Sequence, residues 1–544
     1  MGRKLAESYP NLKKLNITFS EKFDFDPILP FLLCLNYLYA AQDSDGTYFV
    51  TSFPWFSEPN PNNIGITLNF FNNAAQKNIV TISYWFVATK IKETQTVALD
   101  ANAVGSTNLF FRDVVKDFLD FSKEHSLIPD PRIIISSQYS IKVISRIFNQ
   151  ATGLGDAEMI PSSAIAQLNY LVQLPPANPG ATQIIHILGS DTTDATVNVY
   201  HFIDGTYYQT YILNVKKEFG SYQNVITTFA ADPKRRHAFS IYSDKAIYVI
   251  GAVSHINLLS TSVTNDPATA DSITDYGMMH FYPLHYFDCT YSFFLGSEDR
   301  RMLTSDYTKS VYVTPPRNNA CIDQLPINVF RQVTGNKPSI VHLQNFVAST
   351  MTLTPNNQGG TSSLLSYTPW IRFGGLRGTT ADTLDQLFSA FLHYVPETSQ
   401  FVTGSVNLAT FSPNSIIEVY ADSTVTSTSF YLDGLFVDGT MFKSSSKIAF
   451  FDGKYNVFTI LVKNAGFHVL RVAGTGTYVA YVMGDNVKDL TGSYGYVAGY
   501  NINKLAVYNT GPGTQKPPVT TTKGSSMAER SLLTILFASI LLNV

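Results

Sequence analysis

The sequence has few charged residues, few cysteines and no excess of basic residues. Only 15% of its 544 residues are charged and the formal net charge is -3. This excludes a general nucleic-acid binder, which needs a basic surface to displace counterions from phosphates. Three cysteines cannot form a dense disulfide scaffold, so a hydrophobic core must hold the fold together. No GxSxG elbow, P-loop, GxGxxG or HExxH motif occurs, and we expect neither an enzyme nor a cofactor.

The residues that are abundant favour β-structure. The chain contains 31 Tyr and 38 Phe, and 45% of its residues are hydrophobic, which is too apolar for a disordered chain. Aromatic and β-branched residues suit strands. The length suggests about three or four domains. We therefore expect an all-β, mainly antiparallel fold of tandem β-sandwich-like units with one or two short helices.

The N-terminal region predicts a secreted chain. Residues 27–41 (PILPFLLCLNYLYAA) form an apolar run that is too short to span a bilayer comfortably. Small residues at its end predict signal-peptidase cleavage near Ala41, so that 1–41 is a leader. The mixed-charge stretch before the run is overlong for a signal peptide, which an upstream exon, a mis-chosen start or an uncleaved anchor would explain. The alternative is a buried core segment.

The C-terminal region predicts a lipid anchor. Small residues, a short polar spacer and an apolar tail in 524–544 match a glycosylphosphatidylinositol (GPI) attachment signal, with Gly524, Ser525 and Ser526 as candidate attachment residues. The Pro/Thr/Gly-rich segment 506–523 cannot pack a core and predicts an extended, O-glycosylated stalk. We expect the protein on the outer face of the plasma membrane, or otherwise secreted.

The cysteines and glycosylation sequons bear on the mature chain. Removal of the leader leaves Cys289 and Cys321 as candidates for a single disulfide. The alternative is two unpaired buried thiols. The only N-x-S/T sequon, Asn16-Ile17-Thr18, lies in the leader, so no N-glycan is expected on the mature body.

Local patterns predict two hairpins and two helices. Asp-Gly pairs favour tight I′ turns, and each divides two strand-like segments. The predicted hairpins are Thr196–Ile203 with Thr206–Leu213 around Asp204-Gly205, and Lys447–Phe451 with Tyr455–Val462 around Asp452-Gly453. Helical spacing of apolar residues occurs in 111–123 and, less clearly, in 384–392.

An internal repeat organises the chain. Residues 137–145 align with 243–251 at an offset of 106 residues, and a weaker third copy ends at 480–484. A spacing near this length suits sandwich domains better than propeller blades. We expect an N-terminal β-rich unit at 42–175 and two or more further units in 176–505.

Several segments resemble one known family. The strand Phe239–Gly251 contains Ser243-Asp244-Lys245, and the ordered closing block contains a DG turn, a G-x-H-x-L strand and an S-Y-G-Y-x-x-G ending. Together they resemble the N-terminal domain of the IgGFc-binding protein family, although Ala246 stands where that family usually has proline. The other matching segments are Leu432–Gly434, Gly466–Leu470, Tyr481–Gly484, Ser493–Gly499 and Cys321–Pro326.

This resemblance covers 180–505 and implies an extracellular, non-enzymatic, β-rich module of mucus and cell-surface proteins. The immunoglobulin ligand does not transfer with it. We expect a binding or adhesion protein that engages a protein or glycan partner, with a role in surface defence. The alternatives are a carbohydrate-active hydrolase on the same scaffold and a structural component of the extracellular matrix.

Weaker site candidates have simpler structural explanations. His280, His285, Asp288 and Cys289 are zinc-ligand types without a recognised spacing. The other candidates are predicted to be turns or loops, with Asp43–Gly46 also offering calcium-ligand oxygens. These are Glu298–Arg301 as a solvated turn, Lys234–His237 as a basic surface loop and Gly474–Thr477 as a hairpin turn. For Lys234–His237 the alternative is a basic patch that contacts anionic glycans.

Overall fold

The structure is a computed structural model. It describes residues 42–501 except 58–59, 117–122, 179, 191, 230–234, 258–273, 284–298, 305–306, 314–323, 345–348, 353–357, 364–369, 376–388 and 485–492. Outside the described residues lie the predicted leader with Ala41, the stalk, the GPI signal with Gly524, Ser525 and Ser526, and both Cys289 and Cys321. Predictions about them stay predictions.

The described chain is nearly all antiparallel β-strand, as the composition predicts. Its strands fall into four successive units. Unit 1 contains β1 (Gly46–Thr51), β2 (Ile64–Asn72), β3 (Asn78–Trp85), β4 (Lys92–Leu99), β5 (Val104–Phe110), α1 (Phe111–Val114), β6 (His125–Ile128), β7 (Ile133–Asn149) and β8 (Gly155–Ile160). Unit 2 contains β9 (Gln167–Gln173), β10 (Thr182–Gly189), β11 (Ala195–Ile203), β12 (Thr206–Val215), β13 (Gln223–Phe229), β14 (His237–Asn257) and β15 (Thr274–His280).

The second half of the chain forms two more units. Unit 3 contains β16 (Asp299–Thr304), β17 (Thr308–Val313), β18 (Gln324–Arg331), β19 (Ser339–Gln344), β20 (Ser349–Thr352), β21 (Gln358–Ser363), β22 (Trp370–Gly374) and β23 (Phe391–Tyr394). Unit 4 contains β24 (Ser405–Thr410), β25 (Ser415–Asp422), β26 (Phe430–Leu432), β27 (Leu435–Phe436), β28 (Phe442–Lys447), β29 (Tyr455–Val462), β30 (Gly466–Val472), β31 (Tyr478–Met483) and β32 (Gly495–Val497). Short 3-10 turns occur at Pro61–Asn63, Ser163–Ile165, Thr398–Gln400, Ser427–Ser429 and Phe451–Gly453.

The four units share one pairing pattern. In unit 1 the order is β4-β3-β7-β2-β5, with β1 and β8 also paired to β7. Unit 2 repeats it as β12-β11-β14-β10-β13, with β9 and β15 on β14, and β6, from the chain segment of unit 1, pairs with β13 and so extends the sheet of unit 2. Units 3 and 4 follow the same plan, but their long strand is divided in two, as β21 and β22 and as β30 and β31. Each unit therefore consists of two sheets, which we call layer A and layer B. Layer A contains the first, third and fourth strands of the unit and the first half of the long strand. Layer B contains the second, fifth and last strands and the second half of the long strand.

The long strand passes between the layers at a bend. Ser137 Oγ donates to the Tyr139 carbonyl at 2.8 Å, and Ser243 Oγ donates to the Lys245 carbonyl at 2.6 Å. The pairing register of each long strand with the first strand of its unit shifts at the same place, as a β-bulge does. The sequence repeat therefore marks equivalent bends in units 1 and 2.

The last strands of the units bring the units together. β8 contacts β15, β15 contacts β23, β23 contacts β32, and β32 contacts β8. Because this series returns to its start, the four units form a closed ring with their last strands at the centre. The fourth strand of each unit lies at the end of its sheet order, and the fifth strand lies at another end except in units 2 and 4, where β6 and β28 lie beyond it.

The two ends of the described chain close the ring between units 1 and 4. The backbone N–H of Ser44 donates to the Tyr500 carbonyl at 3.2 Å. The buried ammonium of Lys142 donates to Gln42 Oε1 at 3.0 Å and to the Ala498 carbonyl at 2.5 Å. These bonds satisfy polar groups that would otherwise be buried without partners.

Buried carboxylates join the central strands. Asp156 of β8 accepts hydrogen bonds from the backbone N–H groups of Met278 in unit 2 and Leu392 in unit 3, both at 3.2 Å. Asp275 of β15 accepts from the N–H of Ala390 at 2.8 Å. Last strands are sheet edges with unpaired backbone groups, and these acids satisfy them. Burial raises the pKa of Asp156 well above its usual range.

The helix predictions are largely wrong. α1 ends at Val114, because Val115 already has extended backbone angles, and consecutive β-branched valines disfavour helix. Residues 117–122 of that prediction lie outside the description. Phe391, in the second predicted helix, begins strand β23, whose four residues are all buried. The spacing of apolar residues in this segment therefore does not indicate a helical face. No helix within the described residues is long and apolar enough to cross a membrane.

The first hairpin prediction is confirmed. β11 and β12 pair around Asp204 and Gly205, whose φ angles are 52° and 80°, as a I′ turn requires. The second hairpin forms between β28 and β29, but the predicted strand at Lys447–Phe451 is wrong beyond Lys447. Phe450 and Phe451 instead pack against Phe330, at ring-centroid distances of 5.9 and 4.8 Å.

The Gly474–Thr477 segment is not a hairpin turn. It connects β30 in layer A to β31 in layer B, which do not pair with each other. It therefore occupies the position in unit 4 that the Ser137 and Ser243 bends occupy in units 1 and 2.

Candidate binding surface

The motifs that carry the family resemblance have structural roles. In the DG turn, Asp433 Oδ2 lies 2.8 Å from the ring Nδ1 of His468, the histidine of the G-x-H-x-L strand, and Asp433 Oδ1 accepts from the Val469 N–H at 2.8 Å. In the closing S-Y-G-Y segment, the Tyr496 hydroxyl donates to the Ala409 carbonyl at 2.5 Å. These hydrogen bonds fix turns and strands, and Asp433 remains exposed while His468 and Tyr496 are buried.

The histidine of the zinc candidate set is also engaged. His280 Nδ1 lies 2.7 Å from Glu158 Oε1, and both side chains are buried. The other three members, His285, Asp288 and Cys289, lie outside the described residues. Within the part of the chain that the structure describes, no three His, Cys, Asp or Glu side chains are grouped to hold a metal ion.

The charged segments that the sequence singled out lie in three different places: in the core, at the contact that closes the ring, and on the surface. The predicted solvated turn at Glu298–Arg301 is wrong, because β16 begins at Asp299 and the buried Arg301 donates from Nε to the Val395 carbonyl at 3.1 Å. Asp45 forms a 3.0 Å ion pair with Lys142 and so belongs to the ring closure. Arg235 and Arg236 are exposed just before β14, as a basic surface loop predicts, but His237 is the first residue of β14 and its Nδ1 lies 2.9 Å from His201 Nε2. Lys234 lies outside the described residues.

An uncharged face rich in tyrosine lies on layer A of unit 2. Strand alternation directs Val197 and Val199 of β11 into the core, where both are completely buried. Asn198 and Tyr200 consequently point to the opposite side, because successive side chains of a strand alternate between faces. We call this surface the tyrosine face, and its residues are Asn198, Tyr200, Tyr207, Thr210, Ile212 and Tyr242.

The strand register arranges the tyrosine face in rows. Asn198 lies between Ile212 of β12 and Tyr242 of β14, and Tyr200 lies beside Thr210 of β12. One row further along, Tyr207 of β12 pairs with Phe202 of β11, whose rings meet edge to face at 6.0 Å.

The three tyrosines therefore form a diagonal stripe across three strands. Tyr242 and Tyr200 are in edge-to-face contact at 5.8 Å. Diagonal neighbours in a sheet are about 7–8 Å apart, so the stripe from Tyr242 through Tyr200 to Tyr207 is about 15 Å long. Tyr207 is 55% exposed and Ile212 is 74% exposed, which leaves this end of the stripe accessible.

Charged side chains flank the tyrosine face, and Arg235 and Lys245 are exposed among them. Arg236 lies 3.7 Å from Asp204 at the hairpin end, and Lys216 lies 2.8 Å from Asp194 at the other end. Asp244 accepts a hydrogen bond from the Thr196 N–H at 2.7 Å. The six residues of the tyrosine face carry aromatic rings, hydroxyls, an amide and an aliphatic side chain but no charge.

A buried histidine cluster supports the hairpin from the core side. His201 Nε2 lies 2.9 Å from His237 Nδ1, and the His201 ring stacks on Phe239 at 4.2 Å. Burial is the main cause that lowers the pKa of His201 to about 3, so the ring is neutral at physiological pH. Tyr211 donates to Glu124 at 2.9 Å beside it. This packing holds β11 and β12 rigid under the tyrosine face.

The corresponding face differs between units. In unit 4, Tyr431 occupies the equivalent strand, but Arg471 lies over its ring at 4.6 Å, and Leu435 and Phe436 are exposed. In unit 1 the equivalent strand carries Thr81 and Ser83 outward. Of these three faces, the one on unit 2 combines several tyrosines with no cation.

The sequence analysis did not identify the tyrosine face. The predicted hairpin and its alternation would have placed Tyr200 and Asn198 on one side. Tyr242, however, joins them through the pairing of β11 with β14, a contact between segments that no hairpin pattern reports.

Comparisons with known proteins give no family. No protein-family profile matches the chain, and no curated protein matches it significantly. A crystal structure described as a tetra-tandem repeat in the extending region of a large adhesion protein aligns over 84% of this chain and 99% of that chain. Its sequence identity is 11% and its TM-score is 0.09, which is too low to indicate a shared fold.

Proposed function

We propose that this protein is an extracellular, non-catalytic binding protein that engages a protein or glycan partner through the tyrosine face. In this proposal it is held on the outer face of the plasma membrane by a GPI anchor, or is otherwise secreted, and it mediates adhesion or display at a mucosal or epithelial surface. The motif resemblance to the IgGFc-binding N-terminal domain is consistent with such a role.

The observation that carries the proposal is the tyrosine face itself. Tyrosine provides large contact area at low conformational cost and is enriched in binding surfaces. The face is accessible at Tyr207 and Ile212 and rests on a sheet whose core side is closely packed. A rigid platform of this kind loses little entropy when it binds.

The arrangement of the acids supports a role without catalysis. A hydrolase on this scaffold would need a pair of carboxylates facing a substrate cleft. Asp156, Asp275 and Glu158 instead accept hydrogen bonds from backbone or imidazole groups of neighbouring strands, and these bonds serve the ring.

Cells that express the full chain test both parts of the proposal. Treatment with a phosphatidylinositol-specific phospholipase should release the protein, and retention beside a released control protein would contradict the anchor. Binding of these cells to mucus-coated and epithelial surfaces should fall at least about tenfold for the double variant Tyr200→Leu/Tyr242→Leu. Tyr431→Leu, at the equivalent strand of unit 4, is the matched control.

Two results would redirect the proposal. Equal binding by wild type and the double variant, at equal surface levels, would show that the tyrosine face is not the binding surface. Cells that adhere to each other through this chain without another ligand would favour a structural matrix component.

A further inference from the structure

We infer that this protein self-associates through the edge of strand β19, which pairs antiparallel with β19 of a second copy. The layer A sheets of unit 3, each with four strands, then continue into one another across the two copies. The inference goes beyond the proposed function and does not depend on it, because β19 belongs to unit 3 and the tyrosine face belongs to unit 2.

The edge of β19 is open. This strand is the last in the order β16-β21-β18-β19, and among the described strands it pairs with β18 alone. Its residues Ser339, Ile340, Val341 and His342 are all exposed, Ile340 by 61%. The backbone N–H and C=O groups along the edge of a sheet are a template for pairing with another strand. The partner that this edge fits is therefore a strand.

The core of unit 3 ends before it reaches β19. Val341 pairs with Ile327 of β18, and side chains that face each other across two strands lie on the same side of the sheet. Ile327 is completely buried, whereas Val341 is 36% exposed. On the other side of the sheet Ile340 is exposed beside Asn328. A second β19 would therefore cover apolar side chains on both sides of the sheet, which favours association.

The connection between β18 and β19 is fixed to unit 4. Gln332 donates from Nε2 to the Lys447 carbonyl at 3.0 Å and accepts from the Ala449 N–H at 2.9 Å. The Asp452 N–H donates to Asn336 Oδ1 at 3.0 Å. Because these bonds hold the hairpin in place before it binds, pairing at its edge costs little conformational entropy.

The fourth strands of the other units are protected from such pairing. In unit 1, β4 begins with Lys92 and Glu93, and charged side chains at an edge discourage the approach of another strand. In unit 2, the Asn214 carbonyl of β12 accepts from Asn224 Nδ2 at 3.0 Å. In unit 4, β27 has only two residues. β19 has six residues and no charge, so its edge remains suited to pairing.

The sequence of β19 suits an identical strand. SIVHLQ contains no Lys, Arg, Asp, Glu or Pro, so two copies can face each other without opposing like charges. A two-fold axis near Val341 brings the two Val341 side chains together. It also places the exposed Lys337 and its copy at opposite ends of the paired strands, about 27 Å apart, where salt screens their repulsion. Two-fold dimers are the commonest assemblies of identical chains.

A cysteine at the expected axis tests the pairing in the full chain expressed in cells. Antiparallel pairing brings the Cα atoms of two facing residues to about 4.5–5.5 Å, which is within disulfide range. Mild oxidation of Val341→Cys should therefore give a covalent dimer on a non-reducing gel. Ile79→Cys, at a 59% exposed position of the inner strand β3, is the matched control and should give none. Absence of the Val341→Cys dimer, or equal dimer in the control, would overturn the inference.

A charge exchange tests the same contact without a covalent bond. Val341→Lys and Val341→Glu should each weaken self-association of the purified full chain at least about tenfold, because like charges would then face each other. An equimolar mixture of the two variants should restore it, which also shows that both variants are folded. Ile79→Lys should have no effect. Light scattering measures the mass in each case, and a wild type that stays monomeric, or a mixture that stays monomeric, would show that β19 does not accept a second copy.

Discussion

Arg372 and Glu418 form an ion pair between units 3 and 4, with Nη1 of the guanidinium 2.8 Å from Oε2 of the carboxylate and both side chains completely buried. Thr304 also donates to the same carboxylate at 2.5 Å. Such a pair connects two neighbouring units at a point that water does not reach.

Removing the carboxylate should destabilise the protein strongly. Glu418→Gln keeps the shape of the side chain but leaves the Arg372 charge buried and unpaired, which costs about 3–5 kcal/mol. Denaturant unfolding should show this loss of unfolding free energy. Asp100→Asn removes an exposed partner of Lys77 and should change stability little. Equal effects of the two variants would contradict the assigned role of the pair.

Asp156 should act as a hydrogen-bond acceptor rather than as a reactive acid. Asp156→Asn keeps one acceptor oxygen for Met278 and Leu392 but places its NH2 group at the Ala157 N–H, from which Asp156 Oδ1 accepts at 2.8 Å, so it should cost less than alanine without being neutral. Asp156→Ala leaves the N–H groups of Met278 and Leu392 without this acceptor, at about 1–3 kcal/mol for each amide. Amide hydrogen exchange at those two residues should accelerate in the alanine variant alone. Unchanged exchange would show that other groups satisfy these amides.

Stability should fall in acid partly because of His186. This ring lies 2.8 Å from Ser52 Oγ, and burial lowers its pKa to about 3. Between that value and the unfolded value near 6.5, the unfolded state binds the extra proton, so stability decreases as pH falls through this range.

His186→Gln should therefore reduce the pH dependence of the unfolding free energy by up to about 1.4 kcal/mol per pH unit. Denaturant unfolding at several pH values between 4 and 7 would measure this slope. The exposed His342 provides the control variant His342→Gln, which should leave the slope unchanged. A slope in His186→Gln equal to that of the wild type would contradict the prediction.

The equivalent bends should make similar and independent contributions. Ser137→Ala and Ser243→Ala each remove the side-chain hydrogen bond to a carbonyl two residues later, at about 1 kcal/mol, and Ser243→Ala also removes the 3.3 Å bond that Ser243 Oγ accepts from the Lys245 N–H. Because the serines lie in different units, the double variant should lose the sum. Ser83→Ala, at an exposed hydrogen bond with Thr94, is the control. Strongly unequal losses would show that the two bends are not energetically equivalent.

The sequence patterns predicted those features of the fold that depend on residues close together in the chain. The β-rich composition predicted the fold class, and the Asp204-Gly205 turn was predicted because positive φ angles there have a clear residue signature. Of the helix predicted at 111–123, the structure shows only α1 at Phe111–Val114, because Val115, buried against the core, already has extended backbone angles. The motif match between the Ser137 and Ser243 segments indicated a repeat, since both bends use the same serine hydrogen bond.

The fourfold organisation and the tyrosine face required the tertiary structure. In units 3 and 4 the long strand is interrupted, and the bend of unit 4 uses Gly474–Thr477 in place of a serine, so motif comparison found only the weaker third copy at 480–484, which overlaps the end of β31, and no copy in unit 3. Tyr200 and Tyr242 are 42 positions apart in the sequence and meet only through the register of β11 with β14. Long-range pairing of this kind leaves no local signal.

The 3.2 Å bond between Ser44 and Tyr500 places the start and end of the described body side by side. Because the units of the ring share one strand order, the chain could in principle begin and end between any two neighbouring units. Joining residues 42 and 501 through a short linker and opening the chain between β15 and β16 should yield a circular permutant with the same fold, since the new termini would fall between two units and interrupt no strand of either. Its order of domain synthesis would then begin with unit 3, and a comparison of refolding rates would show whether any one unit must form first.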